Sequence, residues 1–157
     1  MSYIDKILQP GETVRRTAHI HWFIYLPAFV FAAAAMLVVL LVTMNIGDVG
    51  TSWREFALIA ALVLFAIALY LLLRAWIART TTELVATDRR VIYKRGLIRR
   101  YTAEMNMEKV ESVQVEQSIT GRIFNYGTIT VRGTGGGMEP LPNIGDPISF
   151  RNSVTAG

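Results

Sequence analysis

Residues 22–44 of the chain, WFIYLPAFVFAAAAMLVVLLVTM, form an unbroken run of 23 uncharged residues. At about 1.5 Å of rise per residue this run makes about 34 Å of helix, enough to cross a hydrocarbon core of about 30 Å. An ordinary core helix would carry a polar stripe along one side, and this run has none. The run therefore predicts a transmembrane helix.

A second uncharged run, FALIAALVLFAIALYLLL, occupies residues 56–73, after a short connection at 45–55. Lipid accommodates only segments whose backbone groups bond internally, so the two runs predict an α-helical membrane hairpin. Two alternatives stay open, a pair of buried core helices and a cleaved signal peptide. The first run is longer than the apolar region of a usual signal peptide, and 21 residues precede it.

Basic residues predict the orientation of this hairpin. The segment at 1–21 holds Lys6, Arg15 and Arg16, whereas the connection holds one arginine against two acids. By the positive-inside rule both termini lie in the cytoplasm, which predicts a multi-pass protein of the cell inner (plasma) membrane with residues 45–55 outside. The expected anchors at the membrane interface are Trp22, Trp53, Arg74, Trp76 and Arg79.

After residue 79 the sequence changes to short β-branched and alternating segments separated by turn residues. These predict strands at 83–87, 90–94, 97–105, 110–115, 128–132 and 138–141. Asp146-Pro147 favours the start of a last helix, because Asp is a good N-cap and Pro suits the first helical position. Residues 80–157 are therefore predicted to form a small cytoplasmic all-β barrel or sandwich with a short terminal helix.

Several short motifs follow one another along essentially the whole chain. They are residues 8–12 (LQPGE), His21-Trp22, 83–92 (ELVATDRRVI), Gly96, 109–113 (KVESV), Gln117-Ser118, 121–129 (GRIFNYGTI) and Asp146-Pro147. In this order they resemble the bacterial pleckstrin-homology (PH) family, in its membrane-flanked, YdbS/YdbT-like form. The resemblance implies two transmembrane helices followed by an all-β PH-like barrel of seven strands, with a short C-terminal capping helix.

The stretch at 87–100, TDRRVIYKRGLIRR, is the main candidate for a binding site. Its basic residues are Arg89, Arg90, Lys94, Arg95, Arg99 and Arg100. One interpretation is a solvated β-ribbon whose cations discourage edge pairing. The other is a surface for anionic lipid or another anionic ligand, since only residues 80–82 separate Arg79 from the first strand. Such a short connection holds the domain against the inner leaflet, where each basic side chain gains on the order of 1 kcal/mol.

Other kinds of chemistry find little support. The chain has no cysteine, and His19 and His21 lack the further ligands that a metal site needs, so we expect no metal and no cofactor. No nucleophile–base pair can be picked out, which argues against an enzyme. Nucleic acid is a poor partner because the basic stretch has no stacking aromatics beyond Tyr93 and Tyr101.

The sequence thus predicts a non-enzymatic, membrane-anchored protein. Its cytoplasmic PH-like domain is expected to bind anionic lipid or a ligand at the inner leaflet. The alternative is a protein–protein interaction or assembly module of a membrane complex, either with another protein or as a homo-oligomer.

Overall fold

The computed structural model describes residues 8–44, 51–97 and 101–155, without the side chains of residues 51 and 52. It divides into two compact units. One is helical and comprises residues 22–77, and the other combines the residues before 22 with those after 77. The second unit, here called the β unit, is therefore discontinuous in sequence, with the helical unit inserted into it.

The helical unit confirms both predicted helices. A 3₁₀ turn at Trp22–Tyr25 leads into α1, Leu26–Thr43, and α2 spans Thr51–Thr81. α2 has 31 residues and extends beyond the predicted 56–73 at both ends. Arginine and glutamate interrupt an apolar run of sequence, but both residues favour helix, so the helix continues through them. Residues 51–55 of the predicted connection thus form its first turns, and residues 45–50 lie outside the described part.

Both helices are long and apolar enough to cross a membrane. Within the best 18-residue window of each, only 11% of the residues are buried inside the structure. A core helix of a soluble protein would bury most of such a window. The large apolar side chains of α1 and α2 instead face outward.

The first sheet of the β unit contains four antiparallel strands in the order β1-β2-β3-β4. They are β1 (Val14–His19), β2 (Glu83–Thr87), β3 (Arg90–Arg95) and β4 (Tyr101–Asn106). Strand β1 was not predicted, and the predicted domain at 80–157 leaves it out. Its sequence, VRRTAH, buries only Ala18 and so lacks an apolar alternation.

The second sheet is built around β6, which pairs with β5, β7 and β8. The strands are β5 (Val110–Glu116), β6 (Tyr126–Gly133), β7 (Gly136–Gly137) and β8 (Leu141–Gly145). A 3₁₀ turn at Met107–Lys109 precedes β5, and a short helix α3, Ile119–Ile123, links β5 to β6. An isolated bridge between Ile20 and Ile144 connects the end of β1 to β8.

Two predicted strands were misplaced. The segment at 97–105 begins too early, because β4 starts at Tyr101, and the segment at 138–141 touches only the first residue of β8. The terminal helix was predicted correctly, and α4 spans Pro147–Thr155. Two long apolar helices, antiparallel sheets and a C-terminal helix are therefore confirmed.

The core of the β unit lies between the two sheets and α4. Phe150 and Val154, the predicted apolar face of α4, are both buried, and the helix packs against β1, β2, β5 and β6. Burying a large apolar side chain contributes about 1.5–3 kcal/mol relative to leaving it exposed. The fully buried side chains of the two sheets include Leu84, Ile92, Ile129 and Ile144.

Candidate functional site

The described part of the predicted basic stretch, residues 87–97, covers the end of β2, the turn after it, and β3. Arg89 is exposed in the turn between β2 and β3, and Arg90 is the first residue of β3. Lys94 and Arg95 are its last two residues. Arg99 and Arg100 lie outside the described residues.

Arg90 is bound inside the β unit. Its Nε donates to Glu12 Oε1 at 3.0 Å and its Nη2 to Glu12 Oε2 at 2.9 Å. A third bond joins Nη1 to Glu104 Oε2 at 2.7 Å. The Arg90 side chain is 14% exposed and that of Glu12 is 0% exposed, so this is a buried, bidentate ion pair. Arg90 is therefore engaged in ion pairs within the fold, and only a small part of its side chain is exposed.

Glu12 is further bound by groups from its own loop and from β2. It accepts hydrogen bonds from the Gln9 amide at 2.9 Å and from the Thr87 hydroxyl at 2.8 Å. The bonds from Arg90, followed by those from Gln9 and Thr87, lower the pKa of Glu12 from 4.5 to about 2, although burial opposes them. In the sequence, Glu12 stands out only as part of the family motif at residues 8–12, and no local pattern identifies its partner.

The register of the first sheet separates the remaining basic residues into two groups. His19 pairs with Glu83, Glu83 with Lys94, and Lys94 with Thr102, which makes one row across all four strands. The helical unit begins three residues after His19, at Trp22, and only Thr82 separates Glu83 from α2. We call this row the exit end of the sheet, because the chain leaves and re-enters the β unit there.

Lys94 lies in this row, and Arg95, the last residue of β3, follows it. Arg89 lies near the other end, where the Asp88 amide donates to the carbonyl oxygen of Thr13 at 3.1 Å. Five residue steps of strand separate Arg90 from Arg95, which is about 17 Å. The six basic residues therefore do not form one surface. Of the described basic residues in this stretch, Lys94 and Arg95 lie at the exit end.

The exit end also exposes apolar and aromatic side chains. Leu97 and Tyr101, on the two sides of the β3–β4 turn, are both exposed. The Tyr101 ring meets the buried Tyr93 ring edge-on, with centroids 6.2 Å apart, which fixes its position. Cations next to exposed apolar groups form an amphipathic tip.

His21, between β1 and the helical unit, packs against the second sheet. Its ring stacks on Tyr126 with centroids 5.4 Å apart, and its amide donates to the Asn143 carbonyl at 2.7 Å. Burial, assisted by the charge of Arg79, lowers the pKa of His21. Among the described residues no three His, Asp or Glu side chains come together as a metal site would require.

The predicted interface anchors lie at or near the ends of the helical segments. Trp22 opens the 3₁₀ turn, Trp53 lies in the first turn of α2, and Trp76 lies near its end, all three exposed. Arg74 and Arg79 lie in the last turns of α2 and are exposed as well. These are the positions at which amphipathic rings and basic side chains are favoured in membrane helices.

The chain thus combines two apolar helices, inserted between the first two strands of a two-sheet β unit, with a helix at its C-terminus. The family model described as "Bacterial PH domain" matches residues 22–156. The chain belongs to the bacterial PH domain family. The match begins at Trp22, so β1 lies outside the matched residues, although it completes the first sheet of this PH domain. No curated protein matches the chain.

Proposed function

We propose that this bacterial PH protein is a non-enzymatic membrane protein whose PH domain binds anionic lipid, or another anionic ligand, at the cytoplasmic surface of the membrane. The binding surface in this proposal is the exit end of the first sheet, with Lys94 and Arg95. Arg99 and Arg100 lie outside the described residues and are included because they directly precede Tyr101 in the sequence. The register that places Lys94 level with both connections to the helices is the observation that carries the proposal.

The pairing of β1 with β2 supports a double crossing. The two strands flank the helical unit and form one antiparallel ladder, so both lie on the same side of any membrane. A single crossing would put them on opposite sides. If α1 and α2 both cross, the excess of basic residues on the flanks assigns that side to the cytoplasm.

The short connections support the location of the binding surface. Two residues separate β1 from the 3₁₀ turn, and one residue separates α2 from β2. The exit end is thereby held within the Debye length of about 8–10 Å from the lipid headgroups. Because the tether supplies a high local concentration, weak individual contacts suffice.

Charge reversal at matched positions tests the proposal. We expect Arg95→Glu to reduce the anionic lipid that the full chain retains after mild detergent extraction, measured by native mass spectrometry. Reversal removes one attraction and adds one repulsion, about 2 kcal/mol in total, so the loss should exceed about tenfold in affinity. The retained lipid should also fall as salt is raised.

Arg89→Glu is the matched control. Arg89 is exposed like Arg95 and belongs to the same hairpin, but it lies near the opposite end of β3. It should retain lipid as the parent chain does. Equal retention by both variants, or equal loss, would refute the exit end as the binding surface.

The second candidate function, an assembly module, has one structural observation in its favour. Within the described residues β4 pairs only with β3, so its outer edge can accept another strand. This function requires a complex of fixed stoichiometry that survives high salt in detergent, which chemical crosslinking would detect. The narrower likeness to YdbS/YdbT-like proteins stays a prediction.

A further inference from the structure

We infer that α3 is a second membrane contact of the PH domain, in which Ile119 and Ile123 insert into the interfacial layer of the lipid bilayer. This inference rests on the proposed function for the presence of a bilayer next to the domain. It concerns an apolar contact, which the basic exit end does not provide.

The two isoleucines are unusually exposed for their type. The exposed fraction is 80% for Ile119 and 71% for Ile123, and they lie four residues apart on one side of the short helix. Phe124, which follows directly, is also exposed. Single exposed apolar residues are normal on a protein surface, but a group of three within six residues marks an interaction surface.

The two isoleucines are exposed because hydrogen bonds hold the backbone of α3 in place. The Ser118 hydroxyl caps α3 by accepting from the Gly121 amide at 3.1 Å. The Gln117 side chain donates to the carbonyl oxygens of Gly121 and Tyr126, at 3.3 and 3.0 Å. A hydrogen bond of 2.9 Å joins the hydroxyl groups of Thr120 and Tyr126. These polar contacts hold the backbone of α3 against β6, so its isoleucines point away from the domain.

The position of α3 indicates what covers it. Tyr126, which holds Thr120, also stacks on His21, the residue directly before Trp22 and the first apolar helix. Two direct contacts therefore link α3 to the point where the chain enters the helical segment. An apolar surface at that point, with the exposed Arg122 between its two isoleucines, has the composition of an interfacial segment on anionic lipid.

Single-cysteine labelling tests this contact in the full chain, because the protein has no native cysteine. Ile123→Cys, labelled with an environment-sensitive fluorophore, is reconstituted in vesicles of equal parts phosphatidylcholine and phosphatidylglycerol. We expect blue-shifted emission and strong quenching by lipids that carry a nitroxide near the headgroup. Adding Ile119→Asp to the labelled chain should reduce the quenching.

Thr134→Cys provides the matched control. Thr134 is exposed in the turn after β6, at the opposite end of that strand from Tyr126, and its label should stay water-like and several times less quenched. Equal quenching at both positions would overturn the inference. A blue-shifted label at residue 123 that nitroxide lipids do not quench would also overturn it, because the contact would then be with protein.

The Arg95→Glu background separates this inference from the proposed function. Quenching at residue 123 that persists in that background and in pure phosphatidylcholine supports the α3 contact whatever the outcome of the anionic-lipid test. Loss of quenching in every vesicle, together with normal lipid retention by the parent chain, rejects the α3 contact alone.

Discussion

At the residue scale, Arg90 illustrates how a local pattern can identify a side chain without revealing its partners in the fold. The alternation around it correctly predicted a strand. Its charge suggested a ligand contact, but both carboxylate oxygens of Glu12, 78 positions earlier, accept hydrogen bonds from the guanidinium. No periodicity connects residues so far apart in sequence. The exposed Arg95, in contrast, lies where a surface role is possible.

Replacing Glu12 by Gln should destabilise the PH domain by about 3 kcal/mol at neutral pH, because Arg90 stays buried without its carboxylate. The pKa of Glu12 is about 2 in the folded domain against an ordinary 4.5. Its contribution to the free energy of unfolding is therefore complete above pH 4.5 and is lost as the pH falls towards 2. Hydrogen exchange of β2 and β3 in the full chain should become about 100-fold faster at neutral pH.

Glu111→Gln is the matched control for this prediction. Glu111 is exposed on β5, and the change should alter the free energy of unfolding by less than about 0.5 kcal/mol. The difference between the parent and Glu12→Gln should shrink between pH 4.5 and 2. A difference that is independent of pH would contradict the ionised pair.

At the scale of elements, the strands rich in apolar residues were predicted closely, whereas β1, which buries only Ala18, was missed. β2 carries a continuous buried run and β6 an alternating pattern, and their predicted bounds lie within two residues of the observed ones. β1 forms a strand because it pairs with β2, and no local pattern in the sequence reveals this pairing. α3 was missed because five residues containing a glycine are too few to show a helical period.

At Gly127 the strand β6 lies close to the end of β5 and to Pro147, the first residue of α4. A Cβ there would lie 2.7 Å from the Glu116 carbonyl oxygen and 2.8 Å from Gln117 Cγ. Since a backbone oxygen cannot move aside cheaply, we expect Gly127→Ala to destabilise the domain by about 1–3 kcal/mol, measured as a lower midpoint of thermal unfolding.

Gly137→Ala serves as the comparison for Gly127→Ala. The nearest atom to its added Cβ is the Val131 carbonyl oxygen at 3.4 Å, an ordinary contact. The midpoint of this variant should match that of the parent chain. Equal midpoints for both alanine variants would contradict the close approach of β5 and β6.

At the scale of the whole molecule, the helical unit is an insertion into a β-hairpin. β1 and β2 pair from His19 with Glu83 onward, as if a short turn joined them. The sequence predicted helices and strands in consecutive blocks, because composition changes at residue 79. It could not predict that the segment at 1–21 contributes a strand to the later block.

Replacing residues 22–80 by a short hairpin turn should yield a soluble, folded PH domain. Residues 80–157 alone should be unstable or aggregate, because they lack β1 and expose the edge of β2. Amide exchange and size-exclusion chromatography distinguish the two proteins. A stably folded monomer of residues 80–157 would show that β1 is dispensable.

Cysteine accessibility in intact cells tests the membrane topology. An impermeant maleimide should label Gly47→Cys, in the predicted external loop, before the cells are opened. Asn152→Cys, exposed on α4, should be labelled only afterwards. Labelling of Asn152→Cys from outside would reverse the proposed orientation, and labelling of neither before lysis would contradict the double crossing.

The pairing of β1 with β2 also fixes an order of events during translation. Residues 14–19 leave the ribosome first and have no strand to join until both helices have been synthesised. If only one of the two helices crossed the membrane, β1 and β2 would lie in different compartments, and the first sheet could not close. In the proposed topology, closure of the first sheet therefore requires that α1 and α2 either both enter the membrane or both stay out of it.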